Sequence, residues 1–227
     1  MIILYPARKK SSTVFFIPPS LHCKIKFNNK KLKNHIIMNA NEVDYGGFFY
    51  IINPEDKTAV LSRSNSNNPL FRQEQVQIDF KIPSVMYYND EKYTVIGIAD
   101  RAFMECHAFR SVDIPASVVF MHRDAFFYCK SLKKVIIRGN VTIPHFKGVF
   151  NRTNLNDIHW YGDIEELNFF LGAMVSNESA YHPDYDAITV HISKDSDADT
   201  VNQWVLNWRF INNEKGLVVK FKIVKDL

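Results

Sequence analysis

The stretch Val95 to Ile114, VIGIADRAFMECHAFRSVDI, lies over Val118 to Ile137, VVFMHRDAFFYCKSLKKVII, at a constant offset of 23 residues. That offset sets Val95 on Val118, Ile98 on Met121, Ala102-Phe103 on Ala125-Phe126, and Cys106 on Cys129. It also sets Phe109 on Leu132, Val112 on Val135 and Ile114 on Ile137. So many apolar matches in register, with Ala-Phe-x-x-Cys in both copies, identify an internal repeat. A third copy follows as Val149-Phe150, Leu155, Ile158 and Trp160. Its Phe falls one residue late, and the last three return to the same offset.

A unit of this length lies inside the roughly 20 to 29 residues of leucine-rich repeats, whose coils each supply one short strand and one helical or 3₁₀ turn. Val112-x-Ile114 and Val135-x-Ile137 alternate with the period of a strand. Ala102-Phe103-x-x-Cys106 and Ala125-Phe126-x-x-Cys129 have the i, i+3 spacing of a helical turn. Pro115, which has no N–H, ends the first strand.

Ile98 to Pro115 and Met121 to Ile137 resemble the I-x-x-x-A-F-x-x-C-x-x-L-x-x-V-x-I-P repeat of BspA-like leucine-rich-repeat proteins, the Treponema pallidum type. Departures are Phe109 for Leu, His122 for Gly, Arg138 for the strand-ending Pro, and Thr153 for the third Cys. Residues 46 to 98 are similar to the β-rich lead-in of these proteins. Ile188 to Ile192 with Trp204 and Trp208 resembles their closing strand and aromatic cap. The resemblance implies an α/β fold: a short leucine-rich-repeat solenoid of three to four coils, with a β-hairpin-rich N-terminal cap and a helix-plus-strand C-terminal cap. It also implies a non-catalytic protein-binding or adhesion module of a surface or secreted protein.

Around the repeats the chain divides into a basic leader at 1–40, a β-rich N-terminal cap at 41–92, the repeats at 93–162, and a last enlarged coil with its cap at 163–227. Phe48 to Asn53 and Thr58 to Ser62 read as a hairpin turned by Pro54-Glu55-Asp56-Lys57, and residues 62–69 as a loop. Val76, Ile78 and Phe80 alternate as a strand ended by Pro83. Met86 to Ile98 reads as a second hairpin around Asn89-Asp90. Asp163 and Glu166 mark a helix start ahead of Ile164, Leu167, Phe170, Leu171 and Met174, a helix expected on the convex side of the enlarged coil. A further capping signal at Ser196 to Asp199 precedes Val201, Trp204, Val205 and Trp208. Gly216 precedes a strand with Val219, Phe221 and Ile223 on one side. A repeat stack cannot leave its end open to water, so the two tryptophans are read as cap residues.

The 227 residues carry 46% hydrophobic content, enough for a sizeable core, and no apolar run long enough to span a bilayer. The net charge of +4 hides an asymmetry, because residues 1–40 hold eight Lys/Arg and no Asp or Glu. Such an arm suits nucleic acid or an anionic surface, the alternative to protein binding, although it lacks a recognisable reading module. The other reading of the arm is a poorly ordered leader, with Met38 as the true start. It is a poor signal peptide, since Val14 to Ile17 is short and ends in Pro18-Pro19.

Inward-pointing Val112/Val135/Ile158 and Ile114/Ile137/Trp160 would leave outward ladders along a concave face: Ser111-Lys134-Asp157, Asp113-Ile136-His159 and Pro115-Arg138-Tyr161. Asp113, Lys134, Ile136, Arg138, Asp157, His159 and Tyr161 are therefore the candidate partner-binding residues, with the Tyr and Arg character of binding hot spots. Cys106 and Cys129, equivalent on adjacent coils, fit either a disulfide or two small buried thiols beside Phe103 and Phe126. The eight histidines have no H-E-x-x-H spacing and read as scattered surface and packing residues. No metal, cofactor or catalytic group is expected, since nucleophile and phosphate-loop motifs are also missing. Asn140, Asn151 and Asn177 sit in N-x-[ST] sequons, relevant only to export from a eukaryote.

Overall fold

A computed structural model describes residues 42–64, 73, 77–143, 148–175, 188–196 and 221–227. The basic leader, the segment with Val201, Trp204, Val205 and Trp208, and Val76, Gly216, Val219 and Asn177 lie outside them. The described strands are β1 (Glu42–Tyr45), β2 (Phe48–Asn53), β3 (Thr58–Ser64), β4 (Ile78–Lys81), β5 (Val85–Tyr88), β6 (Glu91–Ile98) and β7 (Phe109–Ile114). After these come β8 (Phe120–Met121), β9 (Lys134–Ile137), β10 (Asp157–Trp160), helix α1 (Ile164–Val175), β11 (Ile188–Ile192) and β12 (Phe221–Lys225).

One sheet runs β4, β7, β9, β10, β11, β12, with each neighbouring pair parallel. A chain that repeats every 23 residues brings each side chain over its own equivalent. Val112 accordingly pairs with Val135 and Val135 with Ile158, while Ile114 pairs with Ile137 and Ile137 with Trp160. All six are buried. The sheet continues past the two clear copies and the third, worn one. Val190 and Ile223 extend the Ile158 row at one end, and Phe80 extends the Val112 row at the other.

The second sheet begins with the antiparallel β1, β2 and β3. β3 then runs parallel to β6, which pairs antiparallel with β5. Both expected hairpins are present. Asn89 and Asp90 both take left-handed φ, the backbone a two-residue primed turn demands. Gly46 and Gly47 do the same between β1 and β2. The repeats enter this sheet too, because Gly97-Ile98 pairs in parallel with Phe120-Met121 and Phe120 bridges to Thr142.

The Ala-Phe-x-x-Cys segments form turns with bonds three residues back, so of the helical or 3₁₀ turn expected the α-helical form does not occur. Ala102, Met104 and Cys106 donate their N–H groups three residues back within the repeat, to Ala99, Arg101 and Phe103. Arg101, Phe103 and Glu105 instead donate across to the carbonyls of Arg123, Ala125 and Phe127. Arg101 and Glu105, like their equivalents Asp124 and Tyr128, have φ between 56° and 63°. These left-handed residues turn alternate N–H groups toward the next repeat, so no unbroken helical ladder forms. The i, i+3 spacing reports one apolar side, which this alternating turn provides as well as a helix would.

Ala102, Phe103, Ala125, Phe126, Cys106 and Cys129 are all buried there. The two cysteines are thiols and form no disulfide with each other, and Cys129 Sγ donates to the Phe103 carbonyl at 3.0 Å, the buried-thiol arrangement. Helix α1 covers Phe150 and Trp160 with Phe170, its ring centroid 6.1 and 5.2 Å from theirs. Asp163 stands at the helix start, accepting from Leu167 N–H through its carbonyl. Its carboxylate, however, takes Asn140 Nδ2 at 2.6 Å, and Asp163 N–H donates back to Asn140 Oδ1. Asn151, the second sequon residue, is buried.

Candidate functional site

The polar side of the parallel sheet is set by the same registers that bury its apolar side. Ser111, Lys134, Asp157, Thr189 and Lys222 make one row; Asp113, Ile136, His159, His191 and Val224 make the next. The first two outward ladders read from the sequence are therefore adjacent backbone pairs. Arg138 and Tyr161 lie just past the strand ends, where Arg138 N–H reaches the Ile114 carbonyl and Tyr161 N–H the Ile137 carbonyl.

Three polar groupings occupy this side. Arg110 grips both oxygens of Asp79, whose Oδ1 also accepts from Ser111 Oγ at 2.7 Å. Burial pushes the Asp79 carboxyl up, but the bonds from Arg110 and Ser111 outweigh it and hold the group below the ordinary carboxylate range. In the second grouping Arg138 forks onto Asp113 at 2.7 and 2.8 Å, with its guanidinium 5.4 Å from the Tyr161 ring centroid. Arg138 and Tyr161 are both exposed, whereas Asp113 is half-buried.

The third grouping gathers residues that no local motif joined. Lys134 Nζ lies 2.8 Å from His159 Nε2 and 3.5 Å from Asp157 Oδ2. An ammonium has no lone pair, so His159 Nε2 accepts and its proton sits on Nδ1. Burial first, and the Lys134 charge second, lower the His159 pKa and favour that neutral ring. His191, directly across the strand pair, lies 4.4 Å from His159 between ring centroids. Its Nδ1 is 2.9 Å from both oxygens of Asp226. The reading of the histidines as scattered is corrected for this pair: the register of β10 and β11 stacks them. Asp113, Lys134, Ile136, Arg138, Asp157, His159 and Tyr161 thus lie along one side and its strand ends, while His191 and Asp226 are additions to the set.

Compared with known protein families, residues 82–172 match the BspA type leucine rich repeat region, in six copies. Residues 82–172 are a BspA-type leucine-rich-repeat region. The match includes the two clear copies, the third worn one, and most of helix α1. Among solved structures, a leucine-rich repeat protein from Bacteroides capillosus is 22% identical, with 67% of this chain and 99% of that one covered and a TM-score of 0.46. A leucine rich cell surface protein from Faecalibacterium prausnitzii is 24% identical over 55% of this chain, with a TM-score of 0.35; the chain spans 27% of its length. A Treponema pallidum leucine rich repeat protein is 17% identical over 66% of this chain and 71% of that one, with a TM-score of 0.33. No curated protein matches the chain. Among the described residues, no helix is long and apolar enough to cross a membrane.

Proposed function

We propose that the chain is a non-catalytic binding module of a surface or secreted protein, and that the polar side of its parallel sheet docks another macromolecule, a protein first of all. The observation that carries this reading is the Asp113, Arg138 and Tyr161 grouping. Asp113 fixes the Arg138 fork, and the Tyr161 ring lies beside it, so two side chains of hot-spot type are held in place before a partner arrives. Lys134, Ile136, Asp157 and His159 extend the surface along the strands. In this reading 41–92 and 163–227 cap a repeat solenoid, with the hairpins of the second sheet closing one end.

Arg138→Ala with Tyr161→Ala, compared with the unaltered chain in capture from surface and matrix extracts, tests it. The double variant should fold normally and lose the captured partner; undiminished capture would discard this face. The alternative, nucleic-acid or anionic-surface binding through residues 1–40, rests on their eight basic and no acidic residues. It predicts salt-dependent binding to DNA, RNA or anionic vesicles that disappears on deletion of residues 1–37.

A further inference from the structure

Three lone-pair atoms converge on the polar side of β10 and β11. His191 Nδ1 faces both oxygens of Asp226 at 2.9 Å, so it carries the ring proton and leaves Nε2 with its lone pair. His159 Nε2 also presents a lone pair, since its neighbour Lys134 can only donate. Each Nε2 lies 3.3 Å from Asp157 Oδ1, and the three atoms fall within 4.8 Å of one another. Asp157 Oδ1 is buried and has no hydrogen-bond donor. A carboxylate oxygen without a donor is costly unless a cation meets it.

We infer that Asp157, His159 and His191 form a binding site for a divalent transition metal of the zinc class. Donors held about 2.0 to 2.2 Å from a common tetrahedral ion stand roughly 3.3 to 3.6 Å apart, and both nitrogens lie at the near end of that range from Oδ1. Two imidazoles and one carboxylate suit zinc or its first-row neighbours better than calcium or magnesium, which favour oxygen. Asp226 is the positioning residue. By holding Nδ1–H it fixes the His191 tautomer and ring direction, as carboxylates do behind metal-bound histidines. Lys134 is the competitor, its ammonium now beside His159 Nε2 and Asp157 Oδ2. It must swing toward solvent for a metal to enter, leaving a coordination position for water. Partner docking and metal binding here are separable, because zinc alone is the probe.

The test is titration of the full chain with zinc against a chromogenic chelator, repeated with cobalt(II) for its visible absorption. Stability and circular dichroism are checked for every variant. One zinc per chain is expected. His191→Gln and Asp157→Asn should each weaken binding by about tenfold or more, and Asp226→Asn by about tenfold. Lys134→Ala should tighten it several-fold, a direction that general destabilisation does not produce. No zinc binding by the full chain, or binding undiminished in His191→Gln, overturns the site. Unchanged affinity in Asp226→Asn or in Lys134→Ala overturns the role assigned to that residue.

Discussion

The rings of Phe103 and Phe126 lie stacked, 4.9 Å between centroids and 10° from parallel, although 23 residues of chain separate them. Phe126 stacks in turn on Phe150 at 5.3 Å. It is therefore the middle of an aromatic column that joins three successive repeats. Phe126→Ala removes contacts on both sides and leaves a hole that two flanking repeats cannot close without breaking their strand register. A loss of about 3 to 5 kcal/mol is expected in urea unfolding. A loss below about 1 kcal/mol would mean that the column does not bear on stability.

That column was legible in the sequence because the repeat writes the same side chain at the same offset. Val112, Val135 and Ile158 were legible for the same reason, and with them the outward rows that alternate with them. The link from His159 to His191 was not. Their interval is 32 residues, no repeated landmark bridges it, and only the pairing of β10 with β11 reveals it. Asp226 is a further 35 residues along, on the chain that follows β12. The left-handed turns were hidden differently. Arg101 and Asp124 share a backbone conformation but not a residue type, and no glycine marks either position. Repetition of side chains can be read directly, whereas repetition of φ has to be seen.

Asp113 and Arg138 should matter more to a partner than to the fold. The pair is bidentate, but Arg138 is exposed, so solvent screens most of its attraction. A double-mutant cycle with Asp113→Ala and Arg138→Ala should give a coupling under about 1 kcal/mol in unfolding. With a captured partner in hand, Arg138→Ala should cost about 2 kcal/mol or more of binding. The reverse ranking would make Arg138 a structural residue and remove it from the docking surface.

Asp79 supplies the pH dependence. Its folded-state pKa is lowered, so its contribution is present above the unfolded carboxylate value and is lost as pH falls through the folded one. Asp79→Asn should cost on the order of 1 kcal/mol at neutral pH, with Arg110 partly exposed and its attraction correspondingly screened. The gap between variant and parent should hold down to about pH 5 and shrink below about pH 4. Urea midpoints across that range measure it. A gap that widens in acid contradicts the assignment.

Burial pushes the Cys129 thiol well above its ordinary range, and Cys106 beside it is buried too. A thiol that is neither ionised nor reachable does not attack a disulfide reagent. With Cys23 replaced by Ser, the native chain should show no rapid reaction with an aromatic disulfide, and two thiols should appear on unfolding. Rapid native labelling would place the Ala-Phe-x-x-Cys segments at the surface.

The corner after each strand limits residue size through the backbone of the neighbouring repeat. Ala116, Gly139 and Gly162 recur there at the 23-residue offset. A Cβ on Gly162 would stand 2.9 Å from the Gly139 carbonyl oxygen and would also strike Asn140 Oδ1, the atom that receives Asp163 N–H at the start of α1. A Cβ on Gly139 meets Ala116 less tightly, at 3.2 to 3.4 Å. Replacing glycine by alanine at an unobstructed site stabilises a protein by about 0.4 to 1 kcal/mol through the unfolded chain, so the sign of the change is informative. Gly162→Ala should destabilise by about 1 to 3 kcal/mol, because the obstruction is backbone of the neighbouring repeat and cannot rotate away. Gly139→Ala should cost less, since a shift of a few tenths of an ångström relieves it. Denaturant unfolding of the two variants ranks them; a Gly162→Ala protein as stable as its parent would mean that adjacent repeats do not approach this closely at the corner.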